Sequence, residues 1–422
     1  MRPANSRDPA RRRLYDCLFP GEDPRCLRRL DARRRDLRSV MATKPRILIV
    51  GAGIGGLTAA LALLRRGYPV EVFDQAPALS ELGAGIQVAA NGSRVLRELG
   101  LGDELERIGI VAGMVDLRVW NSDERWRMQD HGQAAAKYGS PHYTMHRADL
   151  QDMLRQAVLR ADPNAIKLGM RCTGFDASAK GVTAAFENGE RVQGDALIGA
   201  DGIHSVVRQA LFGSDKAEFT GFMAWRGLCP KETLPPALMR HGGWIAPTSH
   251  IMHYPVRKGA MLNVIAVVER DDWQKESWYD RGTHTEWIAD FPGWHDDARA
   301  MIASTAEPFK WALMVHWPLE RWSVGNATLL GDACHSTLPF LAQGGSMSIE
   351  DSYVLARCLD EFGDIETALK RYEAARAPRT KHIVLAAVAQ KDRLPRRRTE
   401  EREHRPPAHR RKVDARAYGR AL

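Results

Sequence analysis

The sequence predicts an α/β protein in which a mostly parallel sheet is interleaved with a smaller domain that is built on a mostly antiparallel sheet. Three apolar strands each run directly into a turn that contains glycine and aspartate, which is typical of βαβ units. A separate segment holds 9 of the 11 tryptophans and alternates apolar and polar residues, as antiparallel strands do. The three strands are residues 47–50, 196–198 and 327–330, and the tryptophan-rich segment is 216–322.

The first turn, Gly-Ala-Gly-Ile-Gly-Gly at residues 51–56, has the spacing of a dinucleotide-binding loop. Gly51 permits the tight turn, Gly53 lets the backbone approach a pyrophosphate, and Gly56 lets the helix pack on the strand. Phosphates would lie at the helix N-terminus, where free N–H groups and the helix dipole favour anions. These three glycines and Gly55 are therefore predicted cofactor contacts, although the loop alone does not choose FAD over NAD.

The elements after this loop complete the βαβ start. The pattern predicts a helix over 56–66 that ends at Gly67, followed by a strand over 69–73. Asp74 ends that strand, 23 residues after Gly51, where a carboxylate that binds a ribose hydroxyl belongs. The alternative is a glycine-rich turn that binds no nucleotide, and the strand, helix and acid together argue against it.

The remaining elements alternate between the two sheets. Further strands are predicted at 115–120, 126–129, 142–145, 165–175, 182–186, 251–256 and 261–268, and further helices at about 91–99, 148–160, 205–211, 343–360 and 365–375. The predicted domains are a nucleotide-binding domain of residues 44–115, 140–215 and 323–390, and a second domain of residues 116–139 and 216–322.

The net charge of +9 is carried by the two ends of the chain. Residues 1–40 carry +6 and residues 391–422 carry +7, which leaves −4 for residues 41–390. A protein that reads nucleic acid with its folded body would carry a basic face there, interleaved with aromatic residues. The distribution therefore argues against a nucleic-acid partner.

Residues 1–43 and 391–422 are predicted to be basic, disordered extensions, and Met41 is expected to be the initiator residue.

No secretory signal is visible in the sequence. The apolar stretch 47–64 contains the glycine loop, so it predicts a buried strand and helix rather than a membrane span. Six scattered cysteines without metal-binding spacing indicate free thiols, a cytoplasmic location and no metal site.

The second and third turns each supply an aspartate. Asp201 follows the strand 196–198 and can cap the short helix over 205–211, which contains Arg208. Asp332 follows Gly331 directly after the third strand.

The three turns, in this order and at these separations, resemble the aromatic-hydroxylase group of FAD-dependent monooxygenases over residues 44–390. Within that group, the chain resembles salicylate hydroxylase and 3-hydroxybenzoate 6-hydroxylase in the segments Glu81-Leu82-Gly83-Ala84-Gly85-Ile86-Gln87, Phe222–Gly227 and Pro339–Gly344. The resemblance implies a Rossmann-like FAD-binding domain interleaved with a mostly antiparallel substrate domain.

The resemblance also implies cofactor contacts. Asp332 is expected to hydrogen-bond the ribityl chain of FAD, Arg147 to contact the cofactor, and Asp201 and Arg208 to lie in a segment shared by FAD and the pyridine nucleotide. The loop that enters the helix at 343 can direct N–H groups and a positive dipole end at the flavin. The remaining implied cofactor residues are Gly85, Gln343, Gly344, Gly345 and Ser346.

In this group NADH or NADPH reduces FAD, and the reduced flavin captures dioxygen as a flavin C4a-hydroperoxide that transfers OH to an activated ring. The implied substrate is a salicylate-like aromatic acid, hydroxylated with or without decarboxylation to catechol. The expected partners are this acid, dioxygen and NAD(P)H, with no membrane, and the chain is expected to be a monomer or homodimer.

The strand over 222–227 is expected to border the flavin and the substrate, which places Trp225 and Arg226 near the ring pocket. A core position is the alternative for Trp225. An arginine within an apolar strand predicts an anionic partner, because an unpaired buried charge is costly.

No catalytic base is firmly identified by the sequence. His250 and His253 belong to one predicted strand, whose period of two sends them to opposite faces, and His253 is the favoured candidate. The carbonyl of Pro339 is an alternative group to polarise the substrate, and Phe340 is expected to contact it.

Two other classes of protein share these motifs. A flavin enzyme that does not hydroxylate, such as an isoprenoid-chain reductase, has the same fold. A catalytically impaired FAD-binding protein also stays open, because residues 395–422 are unlike the family, whose chains continue helically there.

Overall fold

The structure is a computed structural model that describes residues 44–79, 84–178, 181–213, 217–270, 272 and 280–393, with the backbone alone at 126–128 and 391–393. The predicted extension 1–43 with Met41, the tail from 394 onward and Glu81–Gly83 of the resemblance lie outside the described residues.

The first half of the chain builds most of the nucleotide-binding part. Its elements are β1 (Ile47–Val50), α1 (Ile54–Leu64), β2 (Val70–Phe73), β3 (Gly85–Val88), α2 (Ala90–Glu98), α3 (Gly102–Ile108), β4 (Ile110–Val111), β5 (Met114–Val119), β6 (Arg125–Asp130), α4 (Ala134–Tyr138), β7 (Tyr143–His146), α5 (Arg147–Ala161), β8 (Ile166–Lys167), β9 (Cys172–Ser178), β10 (Gly181–Phe186), β11 (Arg191–Gly194), β12 (Ala196–Gly199) and α6 (Val206–Phe212).

The second half adds the larger sheet and then returns to the first. Its elements are β13 (Glu218–Pro230), β14 (Gly242–Ile245), β15 (Ser249–Val256), β16 (Met261–Glu269), α7 (His284–Ala289), α8 (Asp296–Ala303), β17 (Phe309–Val315), β18 (Ser323–Val324), β19 (Ala327–Leu329), α9 (Asp332–His335), α10 (Gly344–Glu361) and α11 (Ile365–Arg393).

A six-stranded sheet in the order β18-β19-β12-β1-β2-β8 forms the first layer, and all its pairs are parallel except β18 with β19. Strand β1 lies at its centre and is buried throughout, as a strand covered on both faces should be. Strands β1, β12 and β19 each end in one of the three turns. Because parallel strands share their carboxyl edge, the three turns converge on the crevice where open α/β sheets bind ligands.

A seven-stranded sheet in the order β17-β13-β16-β15-β14-β5-β6 forms the second layer and is antiparallel except between β14 and β5. One face packs on α7 and α8 in a core that includes Trp225 and Trp287. The other face, which includes Phe222, packs on Leu338 and on Ala387 of α11. The predicted fold class, a parallel nucleotide sheet interleaved with an antiparallel sheet, is confirmed.

The structure corrects the predicted end of the last helix. Helix α11 runs to Arg393 and passes through Pro378, whereas the sequence predicted an end near 375. Buried residues recur along one face at helical spacing across the whole length: Ala368, Leu369, Tyr372, Arg376, Thr380, Val384 and Ala387. Two of the central members are polar, so the pattern of apolar residues did not show the stripe.

Two further predictions differ from the structure. The strand predicted over 165–175 is two strands, because β8 joins the parallel sheet and β9 pairs with β10 instead. Helices α3, α4, α7, α8 and α9 were not predicted; each is short, with eight residues at most, so it carries little periodic signal.

Candidate active site

The glycine loop after β1 is shaped by close backbone contacts. Gly51 has a φ of +105°, and a Cβ there would lie 2.3 Å from the carbonyl oxygen of Ala200. A Cβ on Gly56 would lie 1.9 Å from the carbonyl oxygen of Gly51. A Cβ on Gly53, in contrast, would meet nothing within 4 Å. Gly55 is also closely packed, since a Cβ there would lie 2.6 Å from the side chain of Leu330. The loop therefore has close contacts at three of its glycines and leaves open space at Gly53 alone.

The N-terminus of α1 faces that open space. Gly53 is the N-cap, it supplies no side-chain cap, and the first turn contains no acidic residue. The first N–H groups of a helix have no intrahelical partner, so this end can receive an anion such as a phosphate.

Asp74 lies beside the same loop. Its carboxylate accepts hydrogen bonds from the N–H of Ala52 at 2.7 Å and from the N–H of Ala76 at 2.8 Å. Gln151 of α5 donates to the carbonyl oxygen of Ala52 at 3.1 Å, so the loop is held from two sides. The predicted ribose carboxylate is thus located next to the predicted phosphate position.

The second turn is organised by Asp201. Its carboxylate accepts from the Ser205 hydroxyl at 2.5 Å and from the N–H groups of Val206 and Val207 at 2.8 and 3.2 Å, so it caps α6 together with Ser205. Arg208 is buried and donates to the carbonyl oxygen of Ala333 at 3.3 Å. This contact connects the second turn to the third.

The third turn places Asp332 at the surface of the crevice. Gly331 has a φ of +66°, and its N–H donates to Asp351 of α10 at 3.3 Å. The side chain of Asp332 is exposed at the start of α9, at the same edge as the glycine loop.

The loop before α10 is tightly turned. The carbonyl oxygen of Pro339 accepts from the N–H of Ala342 at 3.0 Å, and Ala342 has a φ of +51° although it is not glycine. Gln343 accepts from Asn91 at 3.1 Å. The N–H groups of Gly344 and Gly345 begin α10.

Two predicted cofactor residues, Ser346 and Gly85, form hydrogen bonds within the protein. The fully buried hydroxyl of Ser346 accepts from the N–H of Ala89 at 3.0 Å, so only its backbone can turn toward a ligand. The N–H of Gly85 donates to Asn263 at 2.6 Å, and a Cβ on Gly85 would lie 2.6 Å from Tyr254. Arg147, at the start of α5, is half-buried, and its N–H donates to the carbonyl oxygen of Ala84 at 2.9 Å.

Strand β15 contributes a histidine to the face of the larger sheet that meets the nucleotide-binding part. The ring of His250 lies 5.7 Å from that of Phe340, and Phe222 packs edge-on against Phe340 at 6.3 Å. Burial lowers the pKa of His250 to about 4. Its Nδ1 is buried and has no hydrogen-bond partner among the described residues. Phe340 therefore meets His250, whose imidazole is neutral at neutral pH, and does not meet His253.

His253 and Trp225 lie on the opposite face, which corrects two predictions. The ring of His253 is 5.4 Å from Trp244. Trp225 is fully buried, stacks on Trp287 at 5.4 Å and donates to Asp290 at 2.7 Å. Because side chains alternate along a strand, Trp225 cannot share a face with the neighbouring Arg226, and it is a core residue.

Arg226 does lie on the face that carries Phe222. Its guanidinium group packs over the rings of Trp311 at 5.2 Å and Phe309 at 5.6 Å. Cation–π contacts of this kind can offset part of the cost of burial. The predicted anionic partner therefore stays a prediction.

Sequence reasoning missed the part that His250, Tyr254 and Asn263 play at this face. The period of two shows that His250 and Tyr254 share a face, but not which face meets the other layer. That depends on the loop at 339–341, which is distant in sequence.

No group of histidine, cysteine, aspartate and glutamate side chains in the described residues has the arrangement of a metal site. Over the same residues, no helix combines the length and apolar character needed to cross a bilayer. The four cysteines within the described ranges, Cys172, Cys229, Cys334 and Cys358, are buried free thiols.

Comparison with protein families matches residues 44–387 to the family described as FAD binding domain. Three similar proteins each align with 81% of this chain. The 3-amino-4-hydroxybenzoate 2-monooxygenase PtnB3 of Streptomyces platensis is 35% identical over 86% of its own length. The 6-hydroxynicotinate 3-monooxygenase of Pseudomonas fluorescens is 35% identical over 90%, and the 3-hydroxybenzoate 6-hydroxylase of Polaromonas naphthalenivorans is 34% identical over 86%.

The chain is also similar in fold to solved structures. Klebsiella pneumoniae HpxO complexed with FAD and uric acid superposes with a TM-score of 0.75 at 29% identity, covering 82% of this chain and 88% of that one. A salicylate hydroxylase substrate complex superposes with a TM-score of 0.72 at 25% identity, covering 86% and 92%.

Proposed function

Because the chain belongs to the FAD-dependent aromatic hydroxylases, we propose that it hydroxylates a salicylate-like aromatic acid, with NADH or NADPH and dioxygen as co-substrates. The three similar proteins are named for substrates that share a ring bearing both a hydroxyl group and a carboxylate. The observation that carries the proposal is the neutral, buried His250 beside Phe340, which suits a phenolic ring.

The crevice at the carboxyl edge of the parallel sheet fits FAD. Open space at Gly53 suits the pyrophosphate, and the adjacent Asp74 suits a ribose. The exposed Asp332 is the proposed partner of the ribityl chain, and the N–H groups of Gly344 and Gly345 are the proposed contacts of the flavin ring. When bound, FAD supplies reduction by NAD(P)H and activation of dioxygen.

The proposed substrate surface is the face of β15 that carries His250, Met252 and Tyr254. Alternate residues of a strand share one face, so Met252 lies between the two polar side chains. Phe340 borders this surface at one end and Gly85 at the other. Burial raises the pKa of Tyr254, so its hydroxyl stays protonated and can donate a hydrogen bond to the substrate.

His250 is the proposed proton acceptor, in place of His253. Burial keeps its imidazole neutral above about pH 4, so at neutral pH its Nδ1 can accept a hydrogen bond from a phenolic hydroxyl. It takes the proton as the ring attacks the electrophilic OH, because the phenolic hydroxyl becomes strongly acidic at that point. Loss of that proton enriches the ring in electrons and activates it toward an electrophilic OH. The surrounding rings of Phe222 and Phe340 exclude water from the reacting centre.

Oxidation of NADH and NADPH in air by the FAD-loaded protein tests this function, with salicylate, 3-hydroxybenzoate and 6-hydroxynicotinate as separate additions and with identification of the products. We expect salicylate to stimulate oxidation and to yield catechol by decarboxylating hydroxylation. A dihydroxybenzoate from 3-hydroxybenzoate would instead favour the alternative activity, hydroxylation without decarboxylation.

Two outcomes would contradict the proposal in different ways. Stimulation with hydrogen peroxide as the sole product would mean that the added acid binds but is not the substrate. A yellow protein that none of the acids stimulates would favour a flavin enzyme that does not hydroxylate aromatic acids.

A further inference from the structure

A buried charge network lies behind the proposed flavin contacts. Glu350 and Asp351, neighbours on α10, both pair with Arg376 of α11: Asp351 accepts from its Nε at 2.6 Å, and Glu350 accepts from its Nη2 at 3.1 Å. None of the three side chains is more than 4% exposed. Arg379, at the solvent edge, also donates to Glu350 at 3.1 and 3.2 Å. Two carboxylates thus meet two guanidinium groups, of which that of Arg376 is fully buried.

One arm of this network reaches the third turn. Asp351 lies 2.5 Å from Nε2 of the fully buried His335 and accepts the N–H of Gly331 at 3.3 Å. Gly331 and His335 flank Asp332, the proposed partner of the ribityl chain. The position of Asp332 is therefore fixed through Asp351.

The other arm reaches the loop before α10. The side chain of Asn91 lies close enough to Glu350 to help lower the pKa of its carboxyl group, and the same amide donates to Gln343 at 3.1 Å. Gln343 directly precedes Gly344 and Gly345, the proposed contacts of the flavin ring. A continuous chain of polar contacts thus joins the two segments proposed to flank the flavin.

The energetics of such a network favour a role in orienting its side chains over a role in stabilising the fold. Burial acts to raise the pKa of Glu350, but Arg376 and Arg379 hold it below its ordinary value, so the carboxylate stays charged at neutral pH. The cost of removing charges from water offsets most of the attraction within a buried ion pair, so the net gain in stability is small. The buried charges instead fix the orientation of the groups that carry them, because each one pairs with a defined partner where water cannot take that partner's place.

We propose that Arg376 is a positioning residue for the flavin, which acts through Asp351 and Glu350 to hold the Asp332 turn and the start of α10 in register. The inference rests on the FAD contacts proposed above. The positive end of the α10 dipole stabilises negative charge, and reduced flavin carries more negative charge than oxidised flavin. Loosening the network should therefore weaken the binding of reduced FAD more than that of oxidised FAD.

The substitution Arg376→Lys tests this in the holoenzyme, because lysine keeps the charge but lacks the planar fork that bonds two carboxylates. Anaerobic reductive titration gives the midpoint potential of bound FAD, and absorbance titration gives the dissociation constant of oxidised FAD. We expect reduced FAD to lose about tenfold more affinity than oxidised FAD, which lowers the potential by about 30 mV.

Two further variants separate positioning from folding. Lys370→Met, on the same helix, removes an exposed pair with Glu366 and should leave the potential unchanged. Asn91→Ala breaks one arm without removing a buried charge, and it should lower the potential even if Arg376→Lys does not retain FAD.

An unchanged potential in Asn91→Ala, or equal loss of both redox forms of FAD in Arg376→Lys, would overturn the inference and leave the network a structural role. The measurement needs no aromatic substrate. A shifted potential in a protein that hydroxylates none of the tested acids would therefore support the positioning role while contradicting the proposed activity.

Discussion

His250 and His253 lie three residues apart on β15, but their rings face opposite sides of the sheet. His250 lies 5.7 Å from Phe340 on the side of the nucleotide-binding part, and His253 lies 5.4 Å from Trp244 on the other side. Burial lowers the pKa of both to about 4, so their protonation does not distinguish them. Position alone assigns the proton acceptor.

His250→Asn is expected to lower kcat by about 100-fold, because removal of a positioned base typically costs that much or more. The pH dependence of kcat/KM provides a second readout. In the unsubstituted enzyme it should fall as the pH drops through about 4, where His250 becomes protonated, and in His250→Asn this fall should be absent. His253→Asn is the matched control. A larger loss of kcat in the control than in His250→Asn would reverse the assignment.

Gly53→Ala should fold normally but bind FAD at least about tenfold more weakly, which corresponds to about 1.4 kcal/mol. A Cβ at this position meets no protein atom within 4 Å, so the methyl group would occupy only the space proposed for the pyrophosphate. Gly51→Ala should instead unfold the loop, because its φ is +105° and its Cβ would overlap Ala200. FAD titration and thermal unfolding of both variants check this contrast. Unaltered FAD affinity in Gly53→Ala would contradict the proposed phosphate position.

Trp225→Phe is expected to reduce stability by about 2–3 kcal/mol and to change kcat little, because Trp225 is a core residue. The variant loses the hydrogen bond to Asp290 and part of the stacking on Trp287. Urea denaturation measures the stability, and steady-state kinetics measure the activity. If kcat fell by 100-fold while stability was unchanged, Trp225 would belong to the substrate surface after all.

A pair of adjacent histidines, whose rings are tilted against each other, predicts sensitivity to acid. His142 lies 4.6 Å from the ring of His131 and 3.0 Å from Gln87, and burial, together with His131, lowers its pKa to about 4. In the unfolded chain its pKa is about 6.5. Between these values the unfolded state binds more protons, so stability falls as the pH falls, by up to about 3 kcal/mol at pH 4.

His142→Gln should remove the contribution of His142 to this dependence, since glutamine keeps a hydrogen-bonding group near Gln87 and does not titrate. Urea unfolding at pH 7, 5.5 and 4 measures it. On unfolding at low pH, the variant should take up about one proton fewer than the parent protein. Its free energy of unfolding should therefore fall less steeply as the pH decreases over that range. Parallel pH profiles for the variant and the parent protein would show that His142 is not the group responsible.

Much of the fold could be predicted because its signals are local. The glycine loop, Asp74 and the three strand-to-turn transitions are contiguous patterns, and they determine the parallel sheet and its crevice. The path of α11 could not be predicted, because Arg376 and Thr380 occupy its buried face and their partners lie on other elements.

The cofactor half of the candidate site was more accessible to sequence reasoning than the substrate half. Phosphate binding depends on backbone geometry that glycines specify directly. The choice between His250 and His253 depends on which face of a sheet meets Phe340, about 90 residues later in the chain. Alternation along the strand separates the two histidines but does not orient the sheet.

The order of the strands has a consequence for biosynthesis. Strand β1 pairs with β12 and β12 pairs with β19, so the crevice is built from segments that are translated early, midway and late within this fold. The glycine loop emerges early from the ribosome, but α11 with Arg376 emerges after nearly all the rest of the fold. Non-local pairings of this kind form late, because their partners must first exist. FAD should therefore be captured by the finished polypeptide rather than by the nascent chain, and a ribosome stalled before α11 should carry a colourless protein.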